Sequence, residues 1–490
     1  MSRLASAGCL AALLLAGCGR TPEPQFKPAA ATLKLMPAVR EGMTATNDEG
    51  KDVRLEGVTD ILAERFGTLA EPAVWPLLPI DFGGEPVTVA QVVAPSAEAA
   101  EKAEGEEEPL KEVTVTLAPA GGQSLGPLPV GSQVGWTGGT YEGKSHRVTS
   151  FDAKTGQVTL AGEFGDGLPE PGDELLVNMG GVLAEGQALY ERHCLHCHGA
   201  GGAGDGPTAK YLDPKPRDYR LGTFKFTSTA GTDKASREDL IEIMRQGIPG
   251  TSMPAFRLLS DEDLHALAEY VRWLSMRGEY ENELATVAAG YGYTQEAYEE
   301  RIAGGETAED VREEVKAFVE SDLPEEAEAT GENVASKWAD ALDESAVVTP
   351  TTPRVPDTPE SRAKGRELFL SDKTKCATCH GVYGKGDGPQ TESFQINPRT
   401  NEPYPHPGLY DTWDNPIRPR DLTQGVFRGG RRPIDVYRRL HAGIKGTPMA
   451  GFGGSLTEEE IWHLVNYVLN APYESLPEPG RGKALVSTGH

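Results

Sequence analysis

Two short stretches carry residue types and spacing that could do chemistry: Cys194-Leu195-His196-Cys197-His198 and Cys376-Ala377-Thr378-Cys379-His380. Two thiols one helical turn apart present both sulfurs on one face, where they can form thioethers to the two vinyl groups of a haem. The histidine that follows then aims its imidazole at the iron from beneath the ring, and this spacing is the attachment signal for c-type haem. Other chemistries also use paired cysteines. Four of them could gather one zinc ion, but each pair here sits in its own repeat, and the adjacent histidines would go unexplained. A thioredoxin-like dithiol needs a βαβ setting, which the pattern lacks. Plain disulfides explain neither the histidines nor the repeat. The reading is two covalently bound haem c groups, on Cys194 and Cys197 and on Cys376 and Cys379, with His198 and His380 as iron ligands.

The opposite face of each iron must be reached by a segment from farther along the chain. Gly247-Ile248-Pro249-Gly250-Thr251-Ser252-Met253 and Gly443-Ile444-Lys445-Gly446-Thr447-Pro448-Met449 align without gaps. A methionine in a loop stiffened by glycine and proline is poorly explained as core packing, so Met253 and Met449 are the expected axial sulfur ligands. Met244 shares a helical stripe with Leu240 and Ile243 and reads as core. His441 lies near Met449 and competes for that iron. Its counterpart is Arg245, which cannot ligate, and a histidine near a helix end more often caps carbonyls. His193 and His196 read as surface residues or as neighbours of the ligands, and His265 and His463 as packing or exposed.

The elements that must position these residues form an internal repeat, residues 181–276 and 358–472. Each copy opens with a helical run holding a glycine and, four residues on, an aromatic: Gly186 with Tyr190, Gly365 with Phe369. CxxCH follows, then a loop ending Gly-Asp-Gly-Pro (Gly204 to Pro207, Gly386 to Pro389), then Pro-Arg-Asp (Pro216 to Asp218, Pro419 to Asp421). A helix closed by glycine, the methionine loop and a last helix complete the copy. Ser260 with Asp263 and Thr457 with Glu460 fit capping boxes at the start of that helix. The second copy alone carries a Pro-rich insertion, Ile396 to Arg418, which could cover or extend one haem edge.

Together these residues resemble the class I cytochrome c family, with each repeat one such domain; the resemblance covers under half the chain. It implies a small α-helical fold round each haem, the first and last helices crossing at the Gly186/Tyr190 and Tyr270 positions. It further suggests that Pro207 and Pro389 offer their carbonyls to the second ring nitrogen of each ligand histidine, as a metal-bound imidazole needs. Arg217 and Arg420 are left with two readings, haem propionates or a surface salt bridge.

The rest of the 490 residues gives coarser signals. Arg3 and the apolar stretch Leu10 to Ala16 read as a leader, residues 1–17. Leu15-Ala16-Gly17-Cys18 resembles the lipobox of bacterial lipoproteins, so Cys18 is the expected lipidation site, and acyl chains add about 0.8 kcal/mol of membrane affinity per buried methylene. Residues 18–32 read as a tether and 33–180 as a small β-rich domain, with strands expected at Val87 to Val93, Glu112 to Leu117, His146 to Ser150, Gln157 to Leu160 and Glu174 to Val177. Residues 277–357 read as an acidic linker with a few exposed helices, and 473–490 as a tail. The fold class is thus multidomain: a β-rich N-terminal domain, then two mainly α-helical domains joined by that linker. A net charge of −27 argues against nucleic acid, and no apolar run after the leader is long enough to span a bilayer.

Histidine plus methionine leaves no open iron position, and a thioether ligand raises the reduction potential. The expectation is an exported, membrane-anchored dihaem electron carrier, on the periplasmic side, with redox proteins as donor and acceptor and no small-molecule substrate. The alternative is a dihaem enzyme of peroxidase type with one open iron.

Overall fold

The computed structural model describes residues 24–46, 50–93, 110–119, 125–165 and 167–474. The expected leader, Cys18, and nearly all of the tail lie outside these residues, as does the acidic run between Ala97 and Glu108.

A two-stranded hairpin, β1 (Met43–Thr46) and β2 (Asp52–Leu55), precedes a closed antiparallel barrel. The barrel strands are β3 (Glu85–Val93), β4 (Leu110–Pro119), β5 (Gln133–Gly138), β6 (Ser145–Asp152), β7 (Gln157–Phe164) and β8 (Glu174–Val177), in the order β3-β4-β7-β6-β5-β8. Alternation fills its centre: Val87, Val89, Val113, Val115, Val158, Leu160, Leu175 and Val177 all point inward. The five strands expected from sequence are all present. The sixth, β5, was missed because Gln133-Val134-Gly135-Trp136-Thr137-Gly138 has two glycines and reads as a turn. The β-rich region is also narrower than 33–180. Residues 24–82 are largely helical or irregular outside the hairpin, and Leu35, Val39, Val58, Ile61, Leu62 and Phe66 join the core of the first helical repeat instead.

That repeat is organised by one helix of 30 residues, Asp261–Gly290, which runs on past residue 276. Ser260 caps it: its hydroxyl accepts from Asp263 N at 3.1 Å while Asp263 accepts from Ser260 N at 3.1 Å. The same box forms at Thr457 and Glu460, at 3.2 and 2.8 Å, opening the helix Glu458–Asn470 of the second repeat. Buried charge on the long helix explains why its neighbours gather there. Arg272 and Glu269 pair at 2.8 Å with no side-chain exposure, and Arg272 also donates to Pro79 O. Glu281 pairs with Arg277 at 2.9 Å and accepts from Ala29 N and Thr32 Oγ1. Glu279 takes Lys234 and, at 2.8 Å, Trp338 Nε1. A buried carboxylate without such partners would be strongly destabilising, so residues 24–32 and 323–340 are held rather than free.

Two expectations are corrected by this. The described part of the tether is docked, Arg277 lying 3.5 Å over the Phe26 ring. The linker is not a spacer of exposed helices either. Val311, Val315, Phe318, Leu323, Ala327, Val334 and Trp338 share one core with Leu183, Tyr190 and Leu264. Helical spacing of those apolar residues was visible, but acidic composition masked it.

In both repeats the first and last helices cross at a glycine. A Cβ on Gly186 would meet the Ala266 carbonyl and come within 2.8 Å of Tyr270 Cβ; on Gly365 it would meet the His463 carbonyl and come within 2.7 Å of Tyr467 Cβ. The aromatics four residues later close each crossing, Tyr190 on Tyr270 at 5.3 Å and Phe369 on Tyr467 at 5.2 Å. Gly365→Ala should therefore lower the stability of the second repeat by about 1–3 kcal/mol, the usual cost of overpacking. Denaturant unfolding followed through that repeat checks it, and an unchanged midpoint would contradict the close crossing.

Candidate haem-binding sites

Both CxxCH motifs lie on single turns of helix, Leu195–His198 and Cys376–His380. The loop that follows folds back on the motif by the same bonds in each copy. Gly204 N donates to His198 O at 2.8 Å and Gly206 N to Cys197 O at 3.2 Å; Gly386 N donates to His380 O at 2.9 Å and Gly388 N to Cys379 O at 3.1 Å. Gly204 and Gly386 sit at φ +70° and +74°, where a side chain is strained. A Cβ on Gly206 would lie 2.5 Å from His196 O, which is why this loop needs its glycines.

The close loop brings the Pro-Arg-Asp element against each histidine. His198 Nδ1 bonds Arg217 O at 3.1 Å, and His380 Nδ1 bonds Arg420 O at 3.2 Å. The expected partners were Pro207 and Pro389. Instead Pro389 opens a short 3-10 turn, Pro389–Glu392, and its carbonyl accepts from Ser393 Oγ at 3.2 Å. The Pro-Arg-Asp segment supplies the acceptor because nothing but glycine separates it from the motif: a Cβ on Gly204 would come 2.7 Å from Pro216 O. With Nδ1 held, Nε2 is the nitrogen left to bind a metal. Burial lowers the pKa of His198 to about 4 and lowers that of His380 as well, so both rings are neutral at physiological pH.

The four cysteines of the two motifs are free. Burial pushes the Cys194 thiol up to about 12 and raises Cys376, so neither is an ionised nucleophile. Cys197 Sγ accepts from Thr208 Oγ1 at 3.3 Å and Cys379 Sγ lies 3.1 Å from Gln390 Oε1, equivalent positions in the two copies. The pairs pack into separate cores, Cys194 with Leu189 and Tyr190, Cys376 with Phe369 and Tyr467. One zinc ion shared by all four is incompatible with that.

The methionine loops are superimposable in their bonds. Ile248 N donates to Met253 O at 3.1 Å and Ile444 N to Met449 O at 3.0 Å; Thr251 and Thr447 hydroxyls accept from Met253 N and Met449 N at 3.1 and 3.2 Å. Met253 shares the wall of one cavity of about 1600 Å³ with Cys194, Cys197 and His198. Met449 and Cys376 both pack against the core of the second repeat. Neutral imidazole with a free Nε2, two unbonded thiols and a loop methionine on one cavity wall fit a c-type haem in the first repeat. The second repeats the same local bonds.

The other histidines are placed elsewhere. His265 bonds Asp81 at 2.9 Å and His463 bonds Ser361 at 2.8 Å. His441 stacks on Tyr437 at 5.9 Å, and a Cβ on Gly453 would lie 2.5 Å from its ring. His193 and His196 line the first cavity, and Met244 is buried in the core.

Two features escaped the sequence reading. Tyr219 stacks on His198 at 4.8 Å and 18°, where the second copy has Leu422. Both residues follow Pro-Arg-Asp directly, and that position was the available signal. The insertion of the second repeat reaches the first cavity: Leu409, Asp411, Trp413 and Ile417 stand on its wall. Trp413 lies 3.7 Å beneath the Arg217 guanidinium, and among the described residues Arg217 has no carboxylate within 4.0 Å to form the surface salt bridge considered for it. Burial lowers the pKa of Arg217 to about 10.

Comparison with known proteins finds a family match for each repeat. Residues 181–271 match the family model described as cytochrome C oxidase, cbb3-type, subunit III, and residues 362–472 match that of cytochrome c. A solved Kuenenia stuttgartiensis structure, described as a reducing HAO-like protein complex, is similar at 25% identity and a TM-score of 0.40. The similarity covers 59% of this chain and 95% of that one. No curated protein matches the chain. The chain therefore carries two cytochrome c-type domains in tandem behind a six-stranded β-barrel, and such domains bind haem c covalently.

Proposed function

We propose that this protein is an exported, lipid-anchored dihaem c-type cytochrome that passes electrons between redox proteins at a membrane surface. The single observation that carries the reading is the identical bonding of the two methionine loops, each pinned through its own threonine and isoleucine. A c-type haem supplies a one-electron iron couple. Cys194 and Cys197 would hold the first through thioethers, Cys376 and Cys379 the second. His198 and Met253 would hold the iron of the first, His380 and Met449 that of the second. Arg217 O and Arg420 O orient the imidazoles and raise their basicity. The pinned loops hold each methionine in place, which would keep reorganisation on electron transfer small. Cys18 is the proposed anchor, confining the relay to a surface and raising its effective concentration there. Among the described residues no helix is long and apolar enough to cross a membrane.

The test is to purify the full chain from membranes and follow its redox state. Two electrons per chain should enter from a reductant and leave to a soluble redox protein, without peroxide consumption. Catalytic peroxide reduction would instead favour the dihaem peroxidase reading. Cys18→Ser should move the exported protein from the membrane to the soluble fraction, and retention at the membrane would remove the anchor.

A further inference from the structure

The two domains meet at their haem-bearing loops, and the contacts cross over. Arg217 gives its carbonyl to His198 of its own domain and lays its guanidinium on Trp413 of the other. Arg420 gives its carbonyl to His380 of its own domain, yet its guanidinium reaches Gly250 in the first methionine loop, 3.4 Å from where a Cβ would stand. Gly446, the counterpart of Gly250, is approached by Trp413, whose ring would lie 2.5 Å from a Cβ there. Arg428 also crosses, donating to Gly250 O at 3.2 Å.

These residues stand on the cavity that holds Cys194, Cys197, His198 and Met253. Its wall carries ten lysines and arginines against three aspartates, in a chain whose net charge is −27. Two of the aspartates are committed, Asp218 to Arg220 at 2.6 Å and Asp411 to Lys225 at 2.9 Å. Among the described residues no carboxylate comes within 4.0 Å of Arg217, Arg420 or Arg428. Arg420 Nε, Arg428 Nε and Trp413 Nε1 are buried there with no hydrogen-bond partner. Buried donors are nearly always satisfied, and buried guanidinium charge needs an anion. An excess of cationic side chains without carboxylate partners on one cavity wall, three of whose residues also carry an orphaned donor, indicates an anionic group with several acceptor oxygens.

We infer that Arg420, Arg428 and Trp413 of the second domain, together with Arg217 of the first, hold the propionate carboxylates of the haem attached at Cys194 and Cys197. This rests on the dihaem reading. The insertion of the second domain thereby completes the site of the first, and the two haems become inequivalent. A guanidinium offsets the negative charge of a carboxylate that would otherwise favour the more positive, oxidised iron, so Arg428 and Trp413 raise the potential of the first haem more than that of the second.

The experiment is a spectroelectrochemical titration of the purified holoprotein and of Arg428→Gln and Trp413→Phe, the latter keeping a ring beneath Arg217. Tyr219→Leu, which alters only the residue stacked on His198, identifies the first haem as the one whose potential it moves. In Arg428→Gln that same midpoint should fall, with a new pH dependence across the carboxylate range; the other midpoint should move less, and Arg428→Lys should recover most of the loss. Trp413→Phe should shift the same haem by less. Two unchanged midpoints, or equal shifts of both, with two haems still attached, would overturn the proposal. If Arg428→Gln does not fold, Trp413→Phe and Arg428→Lys decide it by the same criterion. A wild-type protein without covalent haem would defeat the dihaem reading itself, an outcome visible before any variant is made.

Discussion

Met449→Ala is expected to turn one of the two haems high-spin and open it to carbon monoxide, while the other stays low-spin and closed. The Met449 loop is fixed at both ends, by Ile444 N on Met449 O and by Thr447 on Met449 N, so no neighbouring backbone group can swing in to replace the sulfur. The nearest alternative donor in sequence is His441. Its ring is held in the stack on Tyr437 and against Gly453, and reaching an iron would mean unpacking both. Loss of the thioether should also lower the potential of that haem, because sulfur ligation favours the reduced state. Optical and electron paramagnetic resonance spectra check the spin state. A fully low-spin protein that binds no carbon monoxide would exclude Met449 as a ligand.

The second large effect concerns attachment. Cys194→Ser with Cys197→Ser should leave one covalent haem per chain instead of two, measured by haem stain and intact mass. The two cysteine pairs belong to different cores, so the second site should load normally. The first domain should lose stability as well, because the walls of a cavity of about 1600 Å³ would face no covalently held group. Covalent haem still at two per chain would refute the first site.

Much of this was legible in the sequence because it is local. Each CxxCH, each Gly-Asp-Gly-Pro loop and each methionine loop works through bonds within a few residues, and the two copies check one another. The crossing at Gly186 was expected only from the resemblance to the class I cytochrome c family, although the glycine and the aromatic recur at one spacing in both copies. What was hidden is long-range. Glu269, Arg272, Glu279 and Glu281 have the composition of a solvated face, yet they are buried because partners arrive from residues 29–32, 79, 234 and 338. The acidic segment after residue 277 looked like a spacer for the same reason. The partner of each ligand histidine was misplaced because a backbone carbonyl leaves no trace in residue type. Trp413 was not singled out at all. Comparing one repeat with the other flags an insertion, but it cannot show that the insertion serves the neighbouring domain.

The claim on which the rest depends is that imidazole and thioether close both irons. Carbon monoxide titration of the reduced wild-type protein tests it most directly. Spectra unchanged at saturating gas are expected, with both irons low-spin. Stoichiometric binding at both haems would contradict the account, and binding at one would move the protein to the peroxidase-type reading.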